Sequence, residues 1–132
     1  MKILVTGGRD YKDRDRLFAA LYAVHFANNA QRLRDGDGGE RATVIVHGAC
    51  RSGADRFAGE WAREVGVEQR AYPVDHAIDG PWPAAGPRRN LRMLRAELDG
   101  LTRVLAFPGG RGTASMCTIA RRNGVDVVEV TG

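Results

Sequence analysis

The stretch "TRVLAFPGGRGTASMCTIARRNG", Thr102–Gly124, decides how the chain is read. Thr102–Phe107 is a short apolar run, the pattern of a strand buried on both faces. Pro108-Gly109-Gly110-Arg111-Gly112-Thr113 breaks it. Thr113–Asn123 reads as a helix. Arg121 and Arg122 stand where a last turn favours cations, and Gly124 stands where a left-handed stop belongs. Glycine has no Cβ, so an oxygen can approach the backbone N–H groups closely. A helix N-terminus adds free N–H donors and a positive dipole end. With the Thr113 hydroxyl, Pro108, Gly109, Gly110, Gly112 and Thr113 therefore form a candidate phosphate cradle. The alternative is that these glycines only permit a tight strand-to-helix turn.

The same grammar recurs upstream. Lys2–Thr6 is an apolar run that ends in Gly7-Gly8-Arg9-Asp10, and Asp13 or Asp15 can cap a helix running to about Leu33. The stretch from Asp35 to Gly39 is a polar, glycine-rich loop. Thr43–His47 is a second strand, followed by Gly48-Ala49-Cys50-Arg51-Ser52-Gly53-Ala54-Asp55. A helix follows with Phe57, Ala58, Trp61, Ala62 and Val65 on one face and Gly66 as its stop. Val67–Tyr72 is a weaker third strand. Pro73–Pro87 holds four prolines and two glycines and reads as a long loop, a setting often given to function. Leu91, Leu94 and Leu98 mark a third helix, and Val125–Val130 closes the chain as a fifth strand. The whole of residues 1–132 is expected to be one α/β domain. The expected fold is Rossmann-like and doubly wound, with a mostly parallel five-stranded sheet and helices on both faces. Ligands of such sheets bind at the C-terminal edge, where strand order reverses. Three glycine-bearing loops would converge there.

Composition sets bounds. At 43% hydrophobic and 27% charged residues, the chain resembles a globular domain. Its apolar runs are far below the roughly 20 residues of a membrane-spanning helix. No membrane partner and a cytoplasmic location are expected, with Cys50 and Cys117 as free thiols. Arginine supplies 18 of the 20 cations. That suits bidentate anionic partners, and it equally suits an arginine-rich codon bias. The Gly-x-x-x-x-Gly-Lys-Ser/Thr of P-loop proteins is absent, as is Gly-x-Gly-x-x-Gly in the first turn. No metal-ligand spacing joins His25, His47 and His76, and no nucleophile elbow appears. No catalytic residue, metal or cofactor is assigned. His47 reads either as an acid–base group or as a strand-end histidine with a backbone partner. Asp55 reads either as a helix-dipole residue or as a ribose contact. One of Arg88 and Arg89 is expected to face the cleft.

Four segments together carry a resemblance: "KILVTGGRDY" at Lys2–Tyr11, "VIVHGACRSGADRFAGEWA" at Val44–Ala62, "AAGPRRNLRM" at Ala84–Met93 and "AFPGGRGTASM" at Ala106–Met116. In this order, and across almost the whole chain, they resemble the YspA/cpYpsA-related SLOG family, which is grouped with the LOG phosphoribohydrolases and the Smf/DprA proteins. The resemblance implies a Rossmann-like domain that senses or processes a nucleotide or an ADP-ribose-like molecule, often in bacterial conflict systems. LOG enzymes cleave the N-glycosidic bond of nucleoside 5′-monophosphates, using Pro-Gly-Gly-x-Gly-Thr with a glutamate three residues past the threonine. Here the glycines and Thr113 match, whereas Met116 stands where the glutamate would be. The LOG Arg-Lys pair corresponds to Arg89-Asn90. Binding carries over and hydrolysis does not, and Met116→Glu is expected to restore trace activity. An aromatic that usually follows Asp75 is replaced by His76. Pro81-Trp82-Pro83 looks inserted, with Trp82 either a base-stacking lid or loop packing.

The resulting reading is a module that binds a nucleotide-derived small molecule through Gly7, Gly8, Arg9, Asp10, Gly48, Ala49, Gly53, Ala54, Asp55, Arg89, Asn90, Pro108, Gly109, Gly110, Gly112 and Thr113. One rival is a hydrolase that uses Asp10, Asp55 or His47 in place of the missing glutamate. A second rival is a single-stranded nucleic-acid module. It ranks lower because aromatics are only 7% and no basic run interleaves with them. A homodimer is left open.

Overall fold

In the computed structural model, residues 1–36 and 42–131 are described; the expected glycine-rich loop falls largely on 37–41 and lies outside them. The element order is β1 (Lys2–Thr6), α1 (Arg14–Asp35), β2 (Val44–His47), α2 (Gly53–Val65), β3 (Glu68–Ala71), α3 (His76–Asp79), α4 (Ala85–Glu97), β4 (Leu101–Ala106), α5 (Arg111–Arg122) and β5 (Asp126–Glu129). The strands form one sheet in the order β3-β2-β1-β4-β5. Every pairing is parallel, as expected for a doubly wound fold. Chain order reverses between β1 and β4, so the crevice at their C-terminal ends is the switch point.

The central strands read as unbroken apolar runs because helices cover both faces. Side chains alternate across a strand. Ile3 and Val5 of β1, Ile45 of β2 and Leu105 of β4 meet Leu17, Phe18 and Leu21 of α1 and Ala58, Trp61 and Ala62 of α2. On the other face, Leu4, Val46 and Val104 meet Met93 and Leu94 of α4 and Met116 and Ala120 of α5. The edge strands differ: β3 is Glu-Gln-Arg-Ala and β5 carries Asp126 and Glu129. Charges on a sheet edge discourage pairing with another chain.

Asp13 caps α1, its Oδ1 accepting from the Arg16 N–H at 3.0 Å. Gly36 and Gly66 end α1 and α2 in the left-handed conformation. Two boundaries depart from expectation. The 73–87 segment is not all loop. Asp75 Oδ1 accepts from the Ala77 N–H at 3.0 Å, and Asp79 Oδ2 accepts from the Asp75 N–H at 2.9 Å. This reciprocal pair closes the single turn α3, and Arg92 locks it by donating to both oxygens of buried Asp79 at 3.0 and 2.8 Å. Helix α4 then begins at Ala85, with Pro87 in the first turn, where its missing N–H costs nothing. Helix α5 begins at Arg111 rather than Thr113, so Gly112 and Thr113 lie inside its first turn.

Candidate functional site

Gly8 is where the three glycine loops are joined. Its N–H donates to the Pro108 carbonyl at 3.0 Å, and its own carbonyl accepts from the Ala54 and Tyr11 N–H groups at 3.3 and 3.2 Å. Such close approach needs missing side chains. A Cβ on Gly7 would stand 2.6 Å from Ala54 Cβ, one on Gly109 would run into Thr113 Oγ1, and one on Gly53 would run into the Gly8 carbonyl. Gly53 also holds φ at +70°, a region that other residues adopt only under strain. These glycines are explained by how the loops pack.

Gly110 and Gly112 are not. A Cβ on either would meet nothing within 4 Å, and neither has a left-handed φ. Both border an open cleft of about 810 Å³ at the switch point. No side chain caps α5, whose N-cap is Gly110 itself. The fold thus leaves two side chains out where the helix presents its unsatisfied donors.

The opposite wall is a hydrogen-bonded relay. Arg89 of α4 crosses Gly48, donating from Nη1 to the Gly48 carbonyl and, at 3.1 Å, to the Tyr72 carbonyl. Its Nε donates to Asn90 Oδ1 at 3.0 Å, and Asn90 Nδ2 donates to the Gly112 carbonyl at 3.3 Å. This relay links the β2–α2 loop, α4 and the start of α5. Burial lowers the pKa of the Arg89 guanidinium, opposed by the charge of Asp55. Asp55 is itself buried, with one oxygen accepting from the Cys50 N–H at 3.1 Å. Burial pushes its carboxyl above the usual range, and the Cys50 N–H, His47 and Arg89 pull it back. Exposed Arg9, Lys12 and Arg111 stand along the rim. None of the three forms an ion pair among the described residues.

Of the residues singled out from sequence, Gly7, Gly8, Arg9, Asp10, Gly48, Asp55, Arg89, Asn90, Pro108, Gly109, Gly110, Gly112 and Thr113 line this one cleft. Ala49, Gly53 and Ala54 do not. Ala54 is fully buried in the core, Gly53 packs under Gly8, and Ala49 takes a positive φ of 58° and donates to His47 Nδ1 at 3.0 Å. That bond, with His47 Nε2 at 2.9 Å from Gln69 Oε1, makes His47 the strand-end histidine with a backbone partner. It is not among the residues that line the cleft. Arg89, not Arg88, is the arginine that enters. Tyr11, Lys12, Asp13, Cys50, Met93 and Arg111 also line the cleft and were not singled out. Met93 had a signal, since it lies one turn beyond Asn90 on α4.

Met116 requires a correction. It is fully buried among Leu4, Val46, Met93 and Val104, and it does not line the cleft. A glutamate there would place a carboxylate in an apolar core, so Met116→Glu is a destabilising change and not a route to activity. Among the described residues, no group of three or more His, Cys, Asp and Glu is arranged to hold a metal ion. Nor is any helix of these residues long and apolar enough to cross a membrane.

Comparison with known proteins agrees with the first two of the four sequence segments. Residues 1–77 match the model of the YspA, cpYpsA-related SLOG family. The Gene 61 protein of Mycobacterium phage D29 is 36% identical over 134 residues, an alignment covering 96% of this chain and 94% of that protein. A parallel 3-2-1-4-5 sheet, a glycine-built cleft at its switch point and these two matches give one conclusion: the chain belongs to the YspA, cpYpsA-related SLOG family.

Proposed function

We propose that the switch-point cleft binds a nucleotide-derived ligand, with its phosphate against the first turn of α5, and holds it without cleaving it. One observation carries this reading: Gly110 and Gly112 lack side chains where the fold makes no demand for it, beside an uncapped helix N-terminus. A phosphate oxygen there would accept backbone N–H bonds in a favourable dipole field. Arg9, Lys12 and Arg111 would supply counter-charge from the rim. Family membership supports a nucleotide-related ligand. The buried, apolar place of Met116 supports holding over hydrolysis.

The test is a thermal-shift screen with nucleoside mono- and diphosphates, cyclic nucleotides, NAD and ADP-ribose. A ligand at 100 times its Kd adds about 2.7 kcal/mol of stability, enough for a shift of several degrees. If no member of the panel moves Tm, the reading is wrong. The hydrolase reading retains one supporting observation, the buried Asp55 carboxyl at the cleft with its raised pKa. Turnover abolished by Asp55→Asn, in a variant that still binds, would establish it.

A further inference from the structure

We propose that Trp82 is the platform on which the ligand's base stacks, so that the cleft selects a ligand carrying a planar aromatic ring; this rests on the phosphate reading above. The chain has two tryptophans, and they are used differently. Trp61 is fully buried, whereas Trp82 is 60% exposed. Trp82 is nevertheless held in place. Its ring lies over Gly86, where an added Cβ would be 3.5 Å from Cζ3. His76 meets it edge-on, with 5.5 Å between centroids and 76° between planes. The His76 ring is anchored in turn by Nδ1 at 2.7 Å from the Gly80 carbonyl.

Position along α4 relates this ring to the cleft. Gly86, Asn90 and Met93 share one face of the helix at i, i+4 and i+7. Met93 lies deepest, in the core, and Asn90 bonds the start of α5. Helix α4 connects two parallel strands, so its N-terminus rises at the edge of the sheet where the cleft opens. At 1.5 Å per residue, Gly86 stands about 6 Å beyond Asn90 toward that opening. A phosphate on the first turn of α5 lies beside Asn90. The ribose then spans toward Gly86, and the base arrives at the indole. Every base has a π face, so recognition by stacking alone tolerates exchange of one base for another.

The experiment measures binding of AMP and of ribose 5-phosphate by calorimetry to the parent, Trp82→Ala and Trp82→Phe. By the usual worth of base–aromatic stacking, AMP affinity should fall roughly five- to hundred-fold in Trp82→Ala. Trp82→Phe should recover most of it, and ribose 5-phosphate should bind all three alike. AMP should also quench tryptophan emission in the parent but not in Trp82→Ala, which retains only Trp61. Unchanged AMP affinity in Trp82→Ala, or an equal loss for both ligands, would overturn the stacking role while leaving the phosphate site standing. Failure of the parent to bind either probe would overturn the stacking role, and if no member of the nucleotide panel shifted Tm either, the phosphate site would fall with it.

Discussion

Replacing Gly112 with alanine separates two explanations of the glycine loop, because they predict changes of opposite kind. Gly112 lies in the first turn of α5, without a left-handed φ, and an added methyl would meet no protein atom within 4 Å. A helical glycine is about 1 kcal/mol worse than alanine in an interior and less so near an end, so stability should rise by roughly 0.5 kcal/mol. In a chain of 132 residues that is an upward Tm shift of about 2 °C. If the glycine only eases the turn, nothing else should change. If the vacant space receives a phosphate oxygen, the methyl removes or lengthens at least one N–H bond to a charged acceptor, worth about 1.5–3 kcal/mol. That is a loss of roughly ten- to hundredfold in affinity. Tm without ligand and Kd for AMP, measured on the same preparation, decide the matter. A variant with raised Tm and parental Kd would refute the cradle.

Three further outcomes are expected. Gly53→Ala forces a left-handed φ on a residue with a Cβ aimed at the Gly8 carbonyl, and it should lower the unfolding free energy by roughly 2–5 kcal/mol, read from urea midpoints. The Arg92 guanidinium, helped by the Asp75 N–H, holds Asp79 down from 3.8 to about 2. A carboxylate depressed on folding stabilises the protein above its unfolded pKa. The contribution is therefore full above about pH 5 and lost as pH falls toward 2, and Asp79→Asn should flatten this part of the acid limb in a urea titration. Long incubation with AMP should release no free adenine by chromatography, and Met116→Glu should lower Tm without creating turnover, since its carboxylate would be buried in the α4–α5 core.

The sheet was legible because strands covered on both faces leave unmistakable runs such as Ile3-Leu4-Val5 and Val44-Ile45-Val46. The convergence of the loops followed from parallel topology alone. Helix α3 was hidden because its stability is not local: the Asp75–Asp79 pair is completed by Arg92, thirteen residues after Asp79, amid prolines that mask any helical period. The start of α5 was hidden by glycines, which weaken the very signal that marks a helix. Met116 was placed at the cleft by motif position, although Met116, Cys117 and Ala120 form the apolar face of α5, a spacing that already pointed inward. Motif alignment gives the residue that would do chemistry. Helical phase gives the side of the helix on which it stands.

The crossing of Arg89 over Gly48 has a consequence for how this sequence can change over time. A methyl group on residue 48 would stand 2.8 Å from the Arg89 guanidinium carbon and from one of its nitrogens, and 3.0 Å from the other. Gly48→Ala is accommodated only if the far end of Arg89 shifts, so in the presence of the arginine it should disturb the bonds to the Gly48 and Tyr72 carbonyls. The two positions are therefore coupled: the effect of Gly48→Ala depends on whether residue 89 is an arginine.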